Sequence, residues 1–296
     1  MTATDSPAIT FAERCSQWDP FLADELASWQ VTDAGLAVID TTGLVALAGP
    51  TDQPRRWASV TKIVAALAVL DSADRGELSL DEPAGPPGST VRHLLAHASG
   101  WAFDEERVMA SPGTRRIYSN VGIDAAAEFT RARVGAPDVA TLLAQRVLTP
   151  LGMLRTEISG PAAHGAVGPV SDLALLAREL LIPRILPSRV IESAITPSFP
   201  GLAGVLPGFG KQTPNDWGLG VEVRGHKTPH WTPESLSPST FGHFGQSGSF
   251  LWVDRTRGLA VASAAGTDFG PWAAQDWPRT SARILAHHLE LLGGTR

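Results

Sequence analysis

Eight consecutive apolar residues, Ile63 to Leu70, make the longest apolar run in this 296-residue chain, and they follow directly on Ser59-Val60-Thr61-Lys62. The run is far short of the roughly twenty residues a bilayer span needs. It is also apolar on every side of a helical wheel. The helix predicted over Val60 to Arg75 must therefore be buried all round, with the rest of the fold wrapped about it. Its first residues are carried into poorly solvated surroundings, and they include a serine and a lysine three apart, which share one helix face. Desolvation disfavours an ammonium and can turn such a lysine into a base near neutrality. Taken alone, S-x-x-K reads as readily as an N-capping serine beside a lysine that reaches for solvent.

Around that helix the pattern changes along the chain. A helix over Phe21 to Trp29 precedes two short strands, Gly35 to Ile39 and Leu44 to Ala48, joined by the hairpin signal Asp40-Thr41-Thr42-Gly43. Helices are then predicted over Val60 to Arg75, Val91 to His97, Val121 to Val134, Asp138 to Leu148 and Ser171 to Leu181, the last closed by Pro183. Strand patterns return at Trp217 to Arg224, Ser249 to Asp254 and Leu259 to Ala264. A final amphipathic helix runs from about Pro278 to Leu292. Strands joined by hairpins at both chain ends imply the α+β class: one antiparallel sheet built from both ends, flanked by helices, with an inserted all-helical domain. The expected division is a discontinuous sheet domain of residues 1–60 and 205–296 and a helical insertion of 61–204, together one catalytic unit.

The only tyrosine in the chain falls in Tyr118-Ser119-Asn120, about sixty residues after the serine, and His243-Phe244-Gly245 lies beyond it. A phenol is a poor base in water, yet a tyrosinate, or a tyrosine paired with a lysine, can pass a serine's proton to a leaving group. A core aromatic followed by a turn is the competing reading of Y-x-N. In this order the motifs resemble the serine β-lactamase and penicillin-binding-protein superfamily. The branch they resemble is the class C-like one, which includes D-alanyl-D-alanine carboxypeptidases and family VIII carboxylesterases. Val91 to Gly100 looks like that family's LLxHxSG segment, Pro112-Gly113 precedes the tyrosine as it does there, and Pro150-Leu151-Gly152-Met153 looks like its PLGM turn.

By this resemblance Ser59 is the acylated nucleophile, and Lys62 accepts its proton or keeps Tyr118 basic. Tyr118 protonates the leaving group and activates the deacylating water. Asn120, His243 and Gly245 orient the substrate and Lys62, and the backbone N–H groups of Ser59 and Gln246 form the oxyanion hole. The resemblance has one marked departure. Penicillin-recognising members carry K-T-G where this chain has His243-Phe244-Gly245, so a cation and a hydroxyl that hold a free substrate carboxylate are replaced by a mostly neutral ring and a phenyl. That favours small carboxylic esters over β-lactams or D-alanyl peptides. Lys227-Thr228-Pro229 looks like a K-T-G that has lost its glycine, but proline removes a ladder donor and argues against a strand lining the site.

The remaining features narrow the function further. A net charge of −6 disfavours nucleic acid or an anionic membrane as partner, leaving a small-molecule acyl substrate. No cofactor is implied. His93 and His97, four apart, could share a helix face, but no third ligand accompanies them, so no metal is expected and structural histidines are the better reading. Arg115-Arg116 reads as a solvated face, and Trp101, Phe103, Trp217, Trp231 and Trp252 divide between core and acyl pocket. The lone Cys15 reads as an inert thiol, and with no leader pattern over Met1 to Asp19 it suits the cytoplasm. The expected protein is a serine hydrolase acting through an acyl-enzyme, with ester hydrolysis favoured. The alternatives are a D-amino-acid peptidase or weak β-lactamase, acyl transfer, and a non-enzymatic penicillin-sensing or acyl-binding module. Nothing in the pattern sets an oligomeric state.

Overall fold

A computed structural model describes residues 11–293; the side chains of residues 11–15 lie outside the described residues, and with them the reading of Cys15. Helix α1 (Phe11–Ala27) leads into a hairpin of β1 (Gly35–Asp40) and β2 (Gly43–Ala48). Asp40 Oδ1 accepts from the Thr42 N–H at 2.7 Å and closes that turn. The short strand β3 (Arg55–Arg56) and a 3-10 turn over Ala58–Val60 precede α2 (Thr61–Asp74). Next come α3 (Val91–Leu95), α4 (Asn120–Val134) and α5 (Val139–Leu143), the last continuing into one π-helical turn, Ala144–Leu148. Strands β4 (Glu157–Ile158) and β5 (Ala166–Gly168) join β3 in a small sheet, followed by α6 (Val170–Leu181) and α7 (Ser188–Ile195). The hairpin β6 (Gly204–Leu206) and β7 (Gly210–Gln212) precedes β8 (Glu222–Val223), β9 (Phe241–Gly245), β10 (Ser249–Asp254), β11 (Leu259–Ala264) and the closing helix α8 (Pro271–Gly293).

The main sheet is antiparallel with the order β2-β1-β11-β10-β9-β8, so the first strand of the chain is sealed against the last, Gly35 opposite Ala264 and Asp40 opposite Leu259. Its central strands look uniformly apolar in sequence, yet they alternate in space. Leu36, Val38, Phe250, Trp252 and Val261 face one side, where they meet Trp18 and Leu22 of α1 and Trp277, Ile284 and Leu285 of α8. Ala37, Ile39, Leu251, Val253, Ala260 and Ala262 face the other and join α2 and α6. Alanines at 260 and 262 let α6 close on the sheet. Helix α2 is enclosed as its apolar run requires, with Thr61 through Ser72 all buried. The α+β architecture with a sheet from both chain ends is as expected. Among the described residues no helix is long and apolar enough to cross a membrane.

Several boundaries differ from expectation, each for a local reason. Helix α3 stops at Leu95, because His97 sits at φ 55° and turns the chain away. His93 and His97 therefore share no helix face. Only Glu222–Val223 of the expected strand Trp217–Arg224 joins the sheet. The preceding segment instead packs on α2, the Gly220 N–H donates to Leu95 O at 2.9 Å, and a Cβ on Gly220 would come within 2.1 Å of that of Ala66. Helix α8 begins at Pro271, a turn and more before Pro278, because Trp272 and Trp277 on its first turns are buried in the second core.

Candidate active site

The turn that carries Ser59 is held from two directions. Ala58 adopts φ 42°, a left-handed conformation that turns the chain sharply between β3 and α2. The carbonyl of Trp57 accepts from Ser249 Oγ at 2.7 Å and that of Arg56 from Ser247 Oγ at 2.6 Å, so the start of β10 and the residues before it fix the backbone ahead of Ser59. On the other side the Trp57 indole donates to Gly168 O at 2.9 Å. Gly245 at the end of β9 presses on the same turn. A Cβ there would lie 2.4 Å from Trp57 O and 3.0 Å from the Ala58 Cβ, so only glycine permits this approach. The next residue, Gln246, is pinned by Phe269, whose N–H donates to Gln246 O at 2.8 Å.

Lys62, the second residue of α2 and one turn beyond Ser59, is wholly buried. Its Nζ lies 2.6 Å from Asn120 Oδ1, 2.9 Å from Ala163 O and 3.1 Å from Ser59 Oγ. The first two partners are pure acceptors with fixed positions. The Asn120 Nδ2 donates to Asp104 Oδ1 at 2.7 Å, which turns the amide oxygen toward Lys62, and the Ala163 N–H donates to Asp124 Oδ1 at 2.8 Å. A neutral amine has two N–H bonds and one lone pair. With both N–H bonds taken by Asn120 and Ala163, the lone pair is left facing the Ser59 hydroxyl. Burial lowers the Lys62 pKa from 10.5 to about 7, against the opposing pull of the Asp124 and Asp104 carboxylates. That shift amounts to roughly 5 kcal/mol against the ammonium, so the free base is well populated near neutral pH.

Tyr118 is delivered by the cap of α4. Ser119 is the N-cap, its Oγ accepting from the Gly122 N–H at 3.1 Å and donating to Ala102 O at 2.7 Å, which places Tyr118 just before the helix and Asn120 as its first residue. Lys62 Nζ lies 4.8 Å from the centre of the Tyr118 ring. His243 Nδ1 is 2.7 Å from Phe244 O, and a carbonyl only accepts, so Nδ1 carries the proton and Nε2 is free to accept from the Tyr118 hydroxyl at 3.3 Å. Burial depresses the His243 pKa to about 3, with the nearby Lys62 acting in the same direction. The ring is neutral at physiological pH. Burial pushes the Tyr118 phenol well above its usual range; a hydrogen bond with Ser59 opposes this, while Asp104 and Glu222 add to it. The resting phenol is therefore protonated, which disfavours the tyrosinate considered from sequence and leaves Lys62 as the available base.

Ser59, Tyr118, His243 and Gln246 line one cavity of about 450 Å³, which Lys62 and Asn120 back and Gly245 borders. Phe103 and Trp217 line it as well. Trp231 stands behind, Trp252 is a core residue bonded to Ser281 Oγ at 3.0 Å, and Trp101 is buried away from the cavity. Past Phe103, Tyr118 and Pro207 the cavity meets a second hollow of about 640 Å³, walled by Met109 and Val205. Arg116 departs from the expected solvated face. It is buried and donates to the carbonyls of Ala96, Ser198, Phe199 and Asn215, tying the segment before Tyr118 to three other stretches of chain. His97 accepts from the Ser119 N–H and packs on Tyr118 and Trp217, while His93 meets Thr90 and Phe199. No cluster that could hold a metal ion occurs among the described residues.

Sequence reading missed three acids. Asp104 and Asp124 orient the partners of Lys62, and Glu222 lines the cavity. Asp104 falls in a charged loop and Asp124 in an ordinary helix, so neither carried a signal. Lys227 of the false K-T-G proves to be the buried ion-pair partner of Glu222 at 2.9 Å.

A profile described as Beta-lactamase matches residues 22–284. A crystal structure from Mycobacterium bovis, described as a beta-lactamase, is 47% identical over 90% of this chain and 98% of its own, with a TM-score of 0.87. The chain belongs to the beta-lactamase family. More distant members of the same fold include the penicillin-binding protein homologue from Pyrococcus abyssi, an octamer (20% identity, 94% of this chain and 77% of that one, TM-score 0.68). Unliganded simvastatin synthase from Aspergillus terreus shares it too (15% identity, 90% and 96%, TM-score 0.70). No curated protein matches by sequence. Members of the beta-lactamase family are in general serine hydrolases, and the fold expected from the motifs is the fold observed.

Proposed function

We propose that this chain is a cytoplasmic esterase that acts on small carboxylic esters through an acyl-enzyme at Ser59. The observation that carries the reading is the position of Lys62 Nζ, 2.6 Å from Asn120 Oδ1, 2.9 Å from Ala163 O and 3.1 Å from Ser59 Oγ; with the first two as acceptors, the free amine keeps its lone pair for the serine hydroxyl. Lys62 takes the serine proton as Oγ attacks the ester carbonyl. The developing oxyanion is met by the N–H groups of Ser59 and Gln246, each worth about 3 kcal/mol of barrier. Tyr118 hands its proton to the departing alkoxide and then helps a water attack the acyl-enzyme, with His243 Nε2 holding the phenol between turnovers. On this reading the sheet unit, described over residues 11–60 and 205–293, and the helical segment 61–204 form the two walls of the cleft.

The ester preference rests on what the cavity lacks and what it holds. His243, neutral, and Phe244 stand where a cation and a hydroxyl would anchor a carboxylate, and Glu222 adds a negative charge. The relative from Mycobacterium bovis is described as a beta-lactamase; a β-lactam carboxylate would find no such anchor here. Labelling with a fluorophosphonate followed by peptide mapping tests the nucleophile without a known substrate. The modified peptide should contain Ser59, and Ser59→Ala should abolish p-nitrophenyl ester turnover; activity above a few per cent of wild type would refute the assignment.

A further inference from the structure

Glu222 is the one carboxylate lining the cavity at Ser59 among the described residues, and the reaction proposed above does not use it. It is a built feature, not a stray charge. Its side chain is 2% exposed. Oε1 accepts from Lys227 Nζ and from His230 Nε2, both at 2.9 Å, and Oε2 accepts from the Trp231 indole at 2.5 Å. His230 presents a protonated Nε2 because its Nδ1 already accepts from the Thr232 N–H at 3.0 Å. Lys227 spends its remaining donors on the carbonyls of Asp216 and Val223. Burial acts to raise the Glu222 pKa, but Lys227 and His230 outweigh it and keep the carboxyl ionised.

A carboxylate has about four acceptor positions. Three are filled by these donors, and the open one belongs to Oε2. The cavity thus offers a substrate an acceptor, while the amine of Lys62 and the ammonium of Lys227 already have partners. Its shape says which part of the substrate meets that acceptor. The inner end is closed by Trp217 and Glu222, each 2% exposed, and the outer end opens past Phe103, which is 51% exposed. The alcohol must leave by the open end, so the acyl group stays at the closed one.

We infer that the preferred substrates are esters whose acyl group carries a hydrogen-bond donor, a hydroxyl or an ammonium, seated on Glu222 Oε2. The inference rests on Ser59 as nucleophile and narrows the substrate class of that site. A site built to bind a donor rejects the analogue that lacks one, because its own acceptor is then buried unpaired. With three of four positions already satisfied, the preference should be about tenfold to a hundredfold in kcat/KM rather than the larger ratios of fully unpaired sites.

The test uses methyl butanoate and its 2-hydroxy, 3-hydroxy, 2-amino and 3-amino derivatives, each enantiomer separately, with the full chain and acid release followed in a pH-stat. At least one donor-bearing ester should exceed methyl butanoate by about tenfold or more, and the hydroxyl and amino arms show which donor the site takes. The double variant Glu222→Leu with Lys227→Met removes the acceptor together with both buried charges, and its ratio should fall to near one. The inference is overturned if wild type hydrolyses methyl butanoate as fast as every derivative, or if the ratio survives in a double variant that still labels at Ser59. Should the double variant not fold, the wild-type ratios decide alone. Absence of labelling at Ser59 in wild type would instead overturn the esterase reading, and this inference with it.

Discussion

On the proposed reading, Lys62 becomes a base through its partners as much as its burial. Asn120 and Ala163 hold the amine so that only its lone pair faces Ser59, and Asp104 holds Asn120 in the amide orientation that makes this possible. The rate should therefore follow the free amine: kcat/KM should rise with pH through about 7 and level off above it, since the proton that blocks the lone pair is lost there. No limb from His243 belongs in the working range, its pKa being about 3. Asp104 and Asp124 are the carboxylates that raise Lys62, while Tyr118, His97 and His243 face it as neutral groups. Asp104→Asn keeps an acceptor for Asn120 but drops the charge, so the limb should move to lower pH with turnover largely kept. Asp104→Ala should move the limb likewise and also cost about tenfold or more in kcat, because the Asn120 amide is released. A pH–rate series on the two variants separates positioning from mere structural damage: a limb unmoved in both would exclude the role.

At the level of elements, the turn that carries Ser59 and strand β9 are machined to each other. Gly245 touches Trp57 O, and Ser249 and Ser247 tether the carbonyls of Trp57 and Arg56. Gly245→Ala would force a methyl group to within 2.4 Å of a backbone oxygen. Backbone cannot yield as a flexible side chain does, so β9 or the turn must shift by a substantial part of an ångström. Turnover should fall by about a hundredfold, as misplacement near 1 Å commonly does, with a loss of about 1–3 kcal/mol in stability from the overpacking. Kinetics and urea denaturation on one preparation check both. Equal activity in the variant would mean that this contact does not set the position of Ser59.

Across the whole molecule, one sheet separates two cores, and each strand residue is committed to a side. Trp252 illustrates the strength of that commitment: it is fully buried between β10 and α8, with its indole donating to Ser281 Oγ at 3.0 Å. Trp252→Ala should cost about 3–5 kcal/mol, read as a lower urea midpoint. Leu289 on the same helix is 41% exposed, and Leu289→Ala should change stability by less than about 0.5 kcal/mol. Because Trp252 lies on the sheet face away from α2, folded Trp252→Ala protein should still label at Ser59. Loss of labelling without loss of stability would show that the two cores are coupled more tightly than their packing suggests.

The order of motifs along the chain, the apolar run of α2 and the strand patterns at both ends were enough to imply the β-lactamase-like fold and to nominate Ser59, Lys62 and Tyr118, since periodicity and local capping are properties of neighbouring residues. Helix ends were less legible: His97 leaves α3 because of a left-handed turn, and α8 starts early because Trp272 and Trp277 are buried, both consequences of distant contacts. The apolar run already implied a desolvated Lys62, but the protonated Tyr118 and the extent of each shift were beyond reach, because burial of Lys62, Tyr118 and His243 is set by every layer around them. So were the acids. Asp104 and Asp124 acquire their partners only when segments well apart in the chain are folded side by side. Glu222 meets the nearby Lys227, His230 and Trp231 through an irregular loop, so no periodic pattern records which charged residue will meet which.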